Sequence, residues 1–281
     1  MKGGRLRAAG VGVTGAVALW ATVAYLVTPS VWRHYERQHK LEGRSMLTTT
    51  AQGAPGDPIN LGIEGARSDM DCAMRAAGWR VADPVRLGTS VDIVASVLAR
   101  RAYPTAPVSP LYFDGRSQDV AYEKAAARSP SRRHHVRFWK ALADGDDGLP
   151  LWLGAATYDR SVGFSHRTGQ ITHHIGPDID AERALVAADL AQGGHVAATY
   201  RISGVGPTLT GRNGGGDRYD TDGEIVVSIL RPGCVAQASA PEILAAPAAT
   251  RWKDRAFPWI AAAWRKLDGA AGEIWNVNSP R

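Results

Sequence analysis

From Arg132 to Ile175 the chain reads RRHHVRFWKALADGDDGLPLWLGAATYDRSVGFSHRTGQITHHI, and the hydrophobic period in this stretch is two. Successive side chains of a strand point to opposite faces. His134, Val136 and Phe138 therefore share one face of a predicted strand, and His135, Arg137 and Trp139 share the other. PLWLGAATYD, from Pro150 to Asp159, and QITHHI, from Gln170 to Ile175, read as two more strands, and DVAYEKA, from Asp119 to Ala125, as a fourth. Gly, Ser, Asp and Pro clusters separate them. Downstream, DIDAERALVAADLA predicts a helix that buries Ala181, Ala184, Leu185 and Ala188 and stops at Gly193-Gly194. HVAATYRIS and EIVVSIL predict two further strands. Upstream, PINLGIEG reads as a strand entering a helix capped by Ser68, with Met70, Ala73, Met74 and Ala77 on one side and Gly78 as its stop. A second helix is expected between Ser90 and Pro104. Strands in runs with few helices between them predict an α+β fold, a mainly antiparallel sheet packed by helices.

The ends of the chain differ from this middle. After Lys2, Arg5 and Arg7, the segment Ala8 to Trp32 carries no charge. About 20 apolar residues cross a bilayer, so one transmembrane helix is expected to precede the domain. A cleaved signal peptide would have a shorter core and a small-residue exit. The expected division is a basic tail over 1–7, an anchor in the lipid bilayer over 8–28, a stalk over 29–57, a globular domain over 58–233, and an Ala/Pro linker with a basic amphipathic tail over 234–281. The short N-terminal tail favours a domain outside the cytoplasm, on the cell membrane. Of 281 residues 44% are apolar, enough for a sizeable core. The net charge is +6, and arginine supplies 27 of the 33 cations. No basic helix, finger or aromatic–basic sheet motif accompanies that charge, which excludes nucleic acid as a partner. Cys72 and Cys234 fit either one bridge or two buried thiols, and form no C-x-x-C or metal-binding pair.

The polar residues in the middle of the chain suggest a site. Strand parity turns His134 and His173 toward the core and places His135, His174 and Arg137 on one shared polar face, with Glu123 or Asp119 as the carboxylate. Asp178 and Asp180 follow Pro177 at a helix start and read as caps. Residues 204–224, GVGPTLTGRNGGGDRYDTDGE, lack the Gly-Lys-Ser/Thr and the following helix of a phosphate loop. They also place Arg218 where a calcium loop needs an acid, so they read as a long hairpin loop closing over a ligand. Two functions fit these residues. One is a non-catalytic module that binds an anionic envelope component or a partner protein through Arg116, Arg137, Arg167 and Arg183. The alternative is a phosphate-ester or lipid head-group hydrolase using His135 or His174 with Glu123 or Asp119. No cofactor is expected; the alternative there is a divalent metal on His135 and His174.

Four blocks carry a family resemblance: SPLYFDGRSQDVAYEK, RRHHVRFWKA, LPLWLGAATYDRSVGFSHRTGQITHHIGPDIDAERALV and NGGGDRYDTDGEIVVSIL. In order between Pro58 and Leu230, they resemble the LssY C-terminal domain family. That family occurs behind multi-span DedA-type segments or beside type 2 phosphatidic-acid phosphatase domains. The resemblance implies an envelope-associated accessory domain whose partner is a separate membrane lipid phosphatase or DedA-type protein. It carries over no catalytic residue. Arg167, His174 and Asp178 fall one residue out of step with the phosphatase spacing, and the other phosphatase motifs are missing.

Overall fold

The computed structural model describes residues 2–27, 30, 37–82, 110–126, 132–166, 169, 171–202 and 210–246, with isolated positions 248, 251–252, 255–256 and 259. Arg167, the helix expected between Ser90 and Pro104, and most of the basic tail lie outside them. The chain divides into two units, 1–44 and 45–281. In the first, helix α1 (Lys2–Thr22) continues into a wider π turn over Val23–Val27. Gly10–Val27 is long and apolar enough to cross a membrane.

The second unit begins with β1 (Leu47–Thr49), β2 (Pro55–Pro58) and β3 (Leu61–Glu64), then α2 (Arg67–Ala76) and β4 (Arg80–Val81). β5 (Tyr112–Phe113), β6 (Arg116–Ser117), β7 (Val120–Ala125), β8 (Arg133–Leu142), β9 (Leu151–Phe164) and β10 (Ile171–Ile175) follow. Then come α3 (Ile179–Gln192), β11 (Val196–Ile202), β12 (Thr210–Arg212), β13 (Arg218–Asp220), β14 (Ile225–Leu230) and β15 (Glu242–Ile243). The fold is α+β. The large sheet runs β15-β11-β14-β3-β9-β8-β7-β4, with β10 also on β9. Its pairs are antiparallel except β14 with β3 and β11 with β15. A small sheet runs β2-β1-β5-β6, and β12 and β13 form a hairpin.

Helices α2 and α3 cover one face of the large sheet. Met70, Ala73 and Met74 of α2 and Val186 and Leu190 of α3 pack there on Tyr122, Val136, Phe138, Trp152 and Ala156. Burying each such large side chain contributes about 1.5–3 kcal/mol. Gly154 is part of the fit, because a Cβ there would stand 2.7 Å from the Phe138 ring. His134 lies on this face and meets Glu182 of α3 at 2.8 Å. The small sheet lies over the opposite face, where Trp139 Nε1 donates to the Arg116 carbonyl at 3.0 Å.

Three expectations need correction, and one open alternative is decided. Part of the expected stalk is folded: β1 and β2 lie inside 29–57, and the compact unit starts at Ser45. A Pro-Gly-Asp-Pro strand carries no apolar alternation to announce it. Helix α2 is preceded by Ala66 without a side-chain cap, not by Ser68. Its Asp69 instead accepts from the Gly233 and Cys234 amides, at 2.9 and 3.2 Å. Helix α3 starts at the Asp178 cap, which accepts from Ala181 N at 2.9 Å, but its buried residues are Ile179, Glu182, Arg183, Val186 and Leu190. Alanines surround the helix, so charged partners on the sheet decide which side faces in. Finally, Cys72 and Cys234 form a disulfide with Cα atoms 5.9 Å apart, which removes the free-thiol alternative and ties α2 to the chain beyond β14.

Candidate functional site

Arg133, His135 and Arg137 alternate along β8 and so share the face turned from the helices. Opposite them on β9 stand Asp159 and Thr157, and opposite His135 on β7 stands Glu123. All six are almost fully buried. An unpaired charge in such a place is costly, and the chain satisfies each with another. Arg133 donates to Asp159 at 2.9 Å through Nε and to Glu123 at 2.8 Å through Nη1. Arg137 Nη1 donates to Asp57 Oδ2 of β2 at 3.1 Å, and Asn213 Nδ2 donates to the other Asp57 oxygen at 3.3 Å.

Arg133, His135, Arg137, Asp159, Asp57 and Asn213 line a cavity of about 380 Å³ between the two sheets. His173 and Ile175 of β10 form one wall, and Asn213, Gly214 and Gly215 of the β12–β13 turn close it. Asn213 Oδ1 shapes that turn by accepting from the Gly215 and Asp217 amides at 3.1 and 3.0 Å. Thr50 abuts Gly214 so closely that a side chain there would strike its methyl.

His135 sits at the centre. Arg137 Nη1 and Thr157 Oγ1 each lie 2.8 Å from its Nε2. A guanidinium only donates, so Nε2 accepts and a ring proton sits on Nδ1. Nδ1 faces Asp159 Oδ1 at 3.3 Å. That contact lacks hydrogen-bond alignment, and both atoms are fully buried without a hydrogen bond. Burial by itself would raise the Asp159 carboxyl, but His135, His173 and Arg133 hold it well below the usual carboxylate range. Burial lowers the Arg137 guanidinium while Asp57 and Asp159 oppose the shift. Burial also pushes His173 down to about 4, against the pull of Asp159.

Of the expected site residues, His135, Glu123 and Arg137 come together here. Asp119 does not: it is exposed and takes Arg116 Nη2 at 2.8 Å and the Lys140 amide at 2.7 Å. Arg116 therefore also lies outside the cavity. Arg183 is on the helix side, bound to Asp222 at 2.7 and 2.9 Å and to the Glu224 carbonyl at 2.8 Å. Two histidines exchange roles. His173, expected in the core, lines the cavity, and His174 turns away to Asp217, 2.8 Å from its Nδ1. Alternation within β10 holds, since His173 stays with Ile175. Ile175 pairs with Asp159, and the register then slips so that His174 pairs with Ser161. That pairing assigns the His173 side of β10 to the Asp159 face. Both faces of the large sheet are covered, so an isoleucine beside the histidine does not distinguish the helix-packed core from the cavity.

Arg133, Asp159, Asp57, Asn213 and His173 are site residues that the sequence reading missed. Arg133 had a usable signal, because it alternates with His135 and Arg137. Asp57 and Asn213 had none, being brought in by the small sheet and a turn. No curated protein and no solved structure matches the chain. A family model described as the LssY C-terminus matches residues 36–225, well over half of its length. On that match, the chain belongs to the LssY C-terminus family.

Proposed function

We propose that the domain is a binding module for a small anionic group, such as a phosphate or carboxylate carried by an envelope component. One observation carries this reading: Arg133, His135 and Arg137, all buried, project from alternate positions of one strand into a partly open cavity. Buried charge networks are poor devices for stability alone, and a cavity with convergent polar groups is the default site for a ligand. The glycines of the closing turn let backbone approach the ligand closely. His173, neutral beside Asp159, takes up a proton once an anion enters.

The hydrolase alternative would rest on the His135–Asp159 pair. Against it, Nε2, the nitrogen a general base would use, is already engaged by Arg137 and Thr157. Binding is the better reading. Its test is calorimetric titration of the full chain in detergent with inorganic phosphate and with glycerol phosphate. Wild type should bind one equivalent and His173→Gln markedly less. Absence of binding by wild type, or equal binding by the variant, rejects the cavity as an anion site.

The apolar helix Gly10–Val27 is read as an uncleaved anchor with the domain outside the cytoplasm. The Cys72–Cys234 disulfide supports that compartment, since such bridges persist where conditions oxidise. The chain should stay in membrane pellets after carbonate washing and be cut by protease added to spheroplasts. A shortened soluble species would mean a cleaved leader, and protection from protease would place the domain inside.

A further inference from the structure

On the far side of the glycine turn lies a second cluster. His166, just beyond β9, His174 of β10 and Asp217 at the end of the turn each offer one ligand atom, all within 4.8 Å of one another. His174 Nδ1 stands 2.8 Å and His166 Nε2 3.9 Å from the same Asp217 oxygen. The two imidazoles lie 5.1 Å apart, inclined at 44°. We propose that these three residues bind a divalent transition metal of the zinc class, leaving at least one coordination position open.

The donor set fits that ion. Two imidazole nitrogens and a carboxylate oxygen suit zinc at about 2.0–2.2 Å, which puts ligand atoms of a tetrahedral site roughly 3.3 Å apart. The two distances to Asp217 lie on either side of that value, so closure takes about half an ångström at each. His166 can supply it, because its side chain is 64% exposed. Asp217 is the fixed element. Its other oxygen accepts from Ile175 N at 3.3 Å, and its amide is held by Asn213 Oδ1 at 3.0 Å. Such supporting bonds orient a metal-binding carboxylate.

Gly163 adds an independent observation. A Cβ there would lie 2.7 Å from His174 Nε2, so the ring fills space that only glycine leaves, with its Nδ1 edge toward Asp217. Arg160, Arg212 and Arg218 line the adjoining depression of about 340 Å³. They disfavour a bare cation and favour an anion or hydroxide at the open position. Gly214 and Gly215 of the same turn wall the anion cavity, and Ile175 lines both hollows. A metal here would pin the turn shut. The assignment itself stands apart from the reading of that cavity. Cys72, Cys234 and His195 are also clustered, but their sulfurs are joined to each other and cannot act as thiolates.

The test uses the full chain in detergent with its disulfide intact, stripped by chelator and titrated with Co²⁺ and then Zn²⁺. Wild type should take one equivalent of Co²⁺, with the visible absorption of a low-coordinate site, and Zn²⁺ should displace it. His166→Ala should weaken both ions by at least about tenfold while leaving the melting temperature of the metal-free protein unchanged. Asp217→Asn should weaken them similarly, and His195→Ala should not. No binding by wild type, unchanged affinity in His166→Ala, or loss in His195→Ala would each overturn the assignment.

Discussion

Arg137 on β8 and Asp57 on β2 form an ion pair, Nη1 to Oδ2 at 3.1 Å, with both side chains only 7% exposed. Eighty residues apart in sequence, they fasten the small sheet to the large one. Removing one partner strands the other charge in the interior. Arg137→Met or Asp57→Leu alone should cost about 3–5 kcal/mol, and the double substitution far less than the sum. Urea unfolding of the double-mutant cycle measures this. Additive losses would mean that the two charges are satisfied separately.

Stability should fall as acid is added, beginning above the carboxylate range. His173 is held down to about 4 by burial, against an ordinary value of 6.5. The unfolded chain therefore binds the extra proton first. The folded state loses stability as pH drops from about 6.5 to about 4, by roughly 3 kcal/mol in all. Asp159, depressed in the fold, adds a further loss only below its ordinary value near 3.8. His173→Gln should flatten the upper part of this profile in thermal unfolding between pH 7 and 4. An unchanged slope would remove His173 as its source.

Anion binding should show the opposite pH dependence. An anion in the cavity raises the His173 pKa, so binding takes up a proton and affinity increases as pH falls from 7 toward 5. Calorimetry in buffers of different ionisation enthalpy would detect that proton. Proton release, or none, contradicts the proposed contact.

Gly214→Ala should weaken the same ligand without unfolding the domain. Its Cβ would press on the Thr50 methyl, moving the turn away from the small sheet and opening the cavity. Overpacking of this kind costs about 1–3 kcal/mol. A variant that keeps wild-type affinity would show that the turn is no wall of the site.

The disulfide closes a loop spanning 162 positions. Cys72→Ser with Cys234→Ser should lose about 2–5 kcal/mol, read by thermal unfolding. The Asp69 contacts to Gly233 and Cys234 will hold part of the junction together. Equal melting temperatures for the oxidised and reduced protein would show that those contacts suffice.

The central strands were legible because β8 alternates regularly from Arg133 to Lys140. That is why His134 could be placed with Val136, and His135 with Arg137. The site as a whole was not legible. Asp57 sits in a strand made of two prolines, a glycine and an acid. The face that His173 shares depends on the slipped pairing between Ile175 and His174. Helix α3 buries Glu182 and Arg183 against His134 and Asp222, partners 48 and 39 residues away, which helical periodicity does not register.

The bridge also sets how the domain would bear mechanical load. Tension applied between the chain's two ends crosses from Cys72 to Cys234 through sulfur, bypassing the 161 residues between them. Strands β7 to β14 are thereby shielded, along with every cavity residue from Arg133 to Gly215. Asp57, which lies before Cys72, stays on the loaded path. Pulling would therefore act on β1, β2 and β3, which precede Cys72, and so on the Arg137–Asp57 pair, while β5 and β6 of the small sheet stay within the shielded loop.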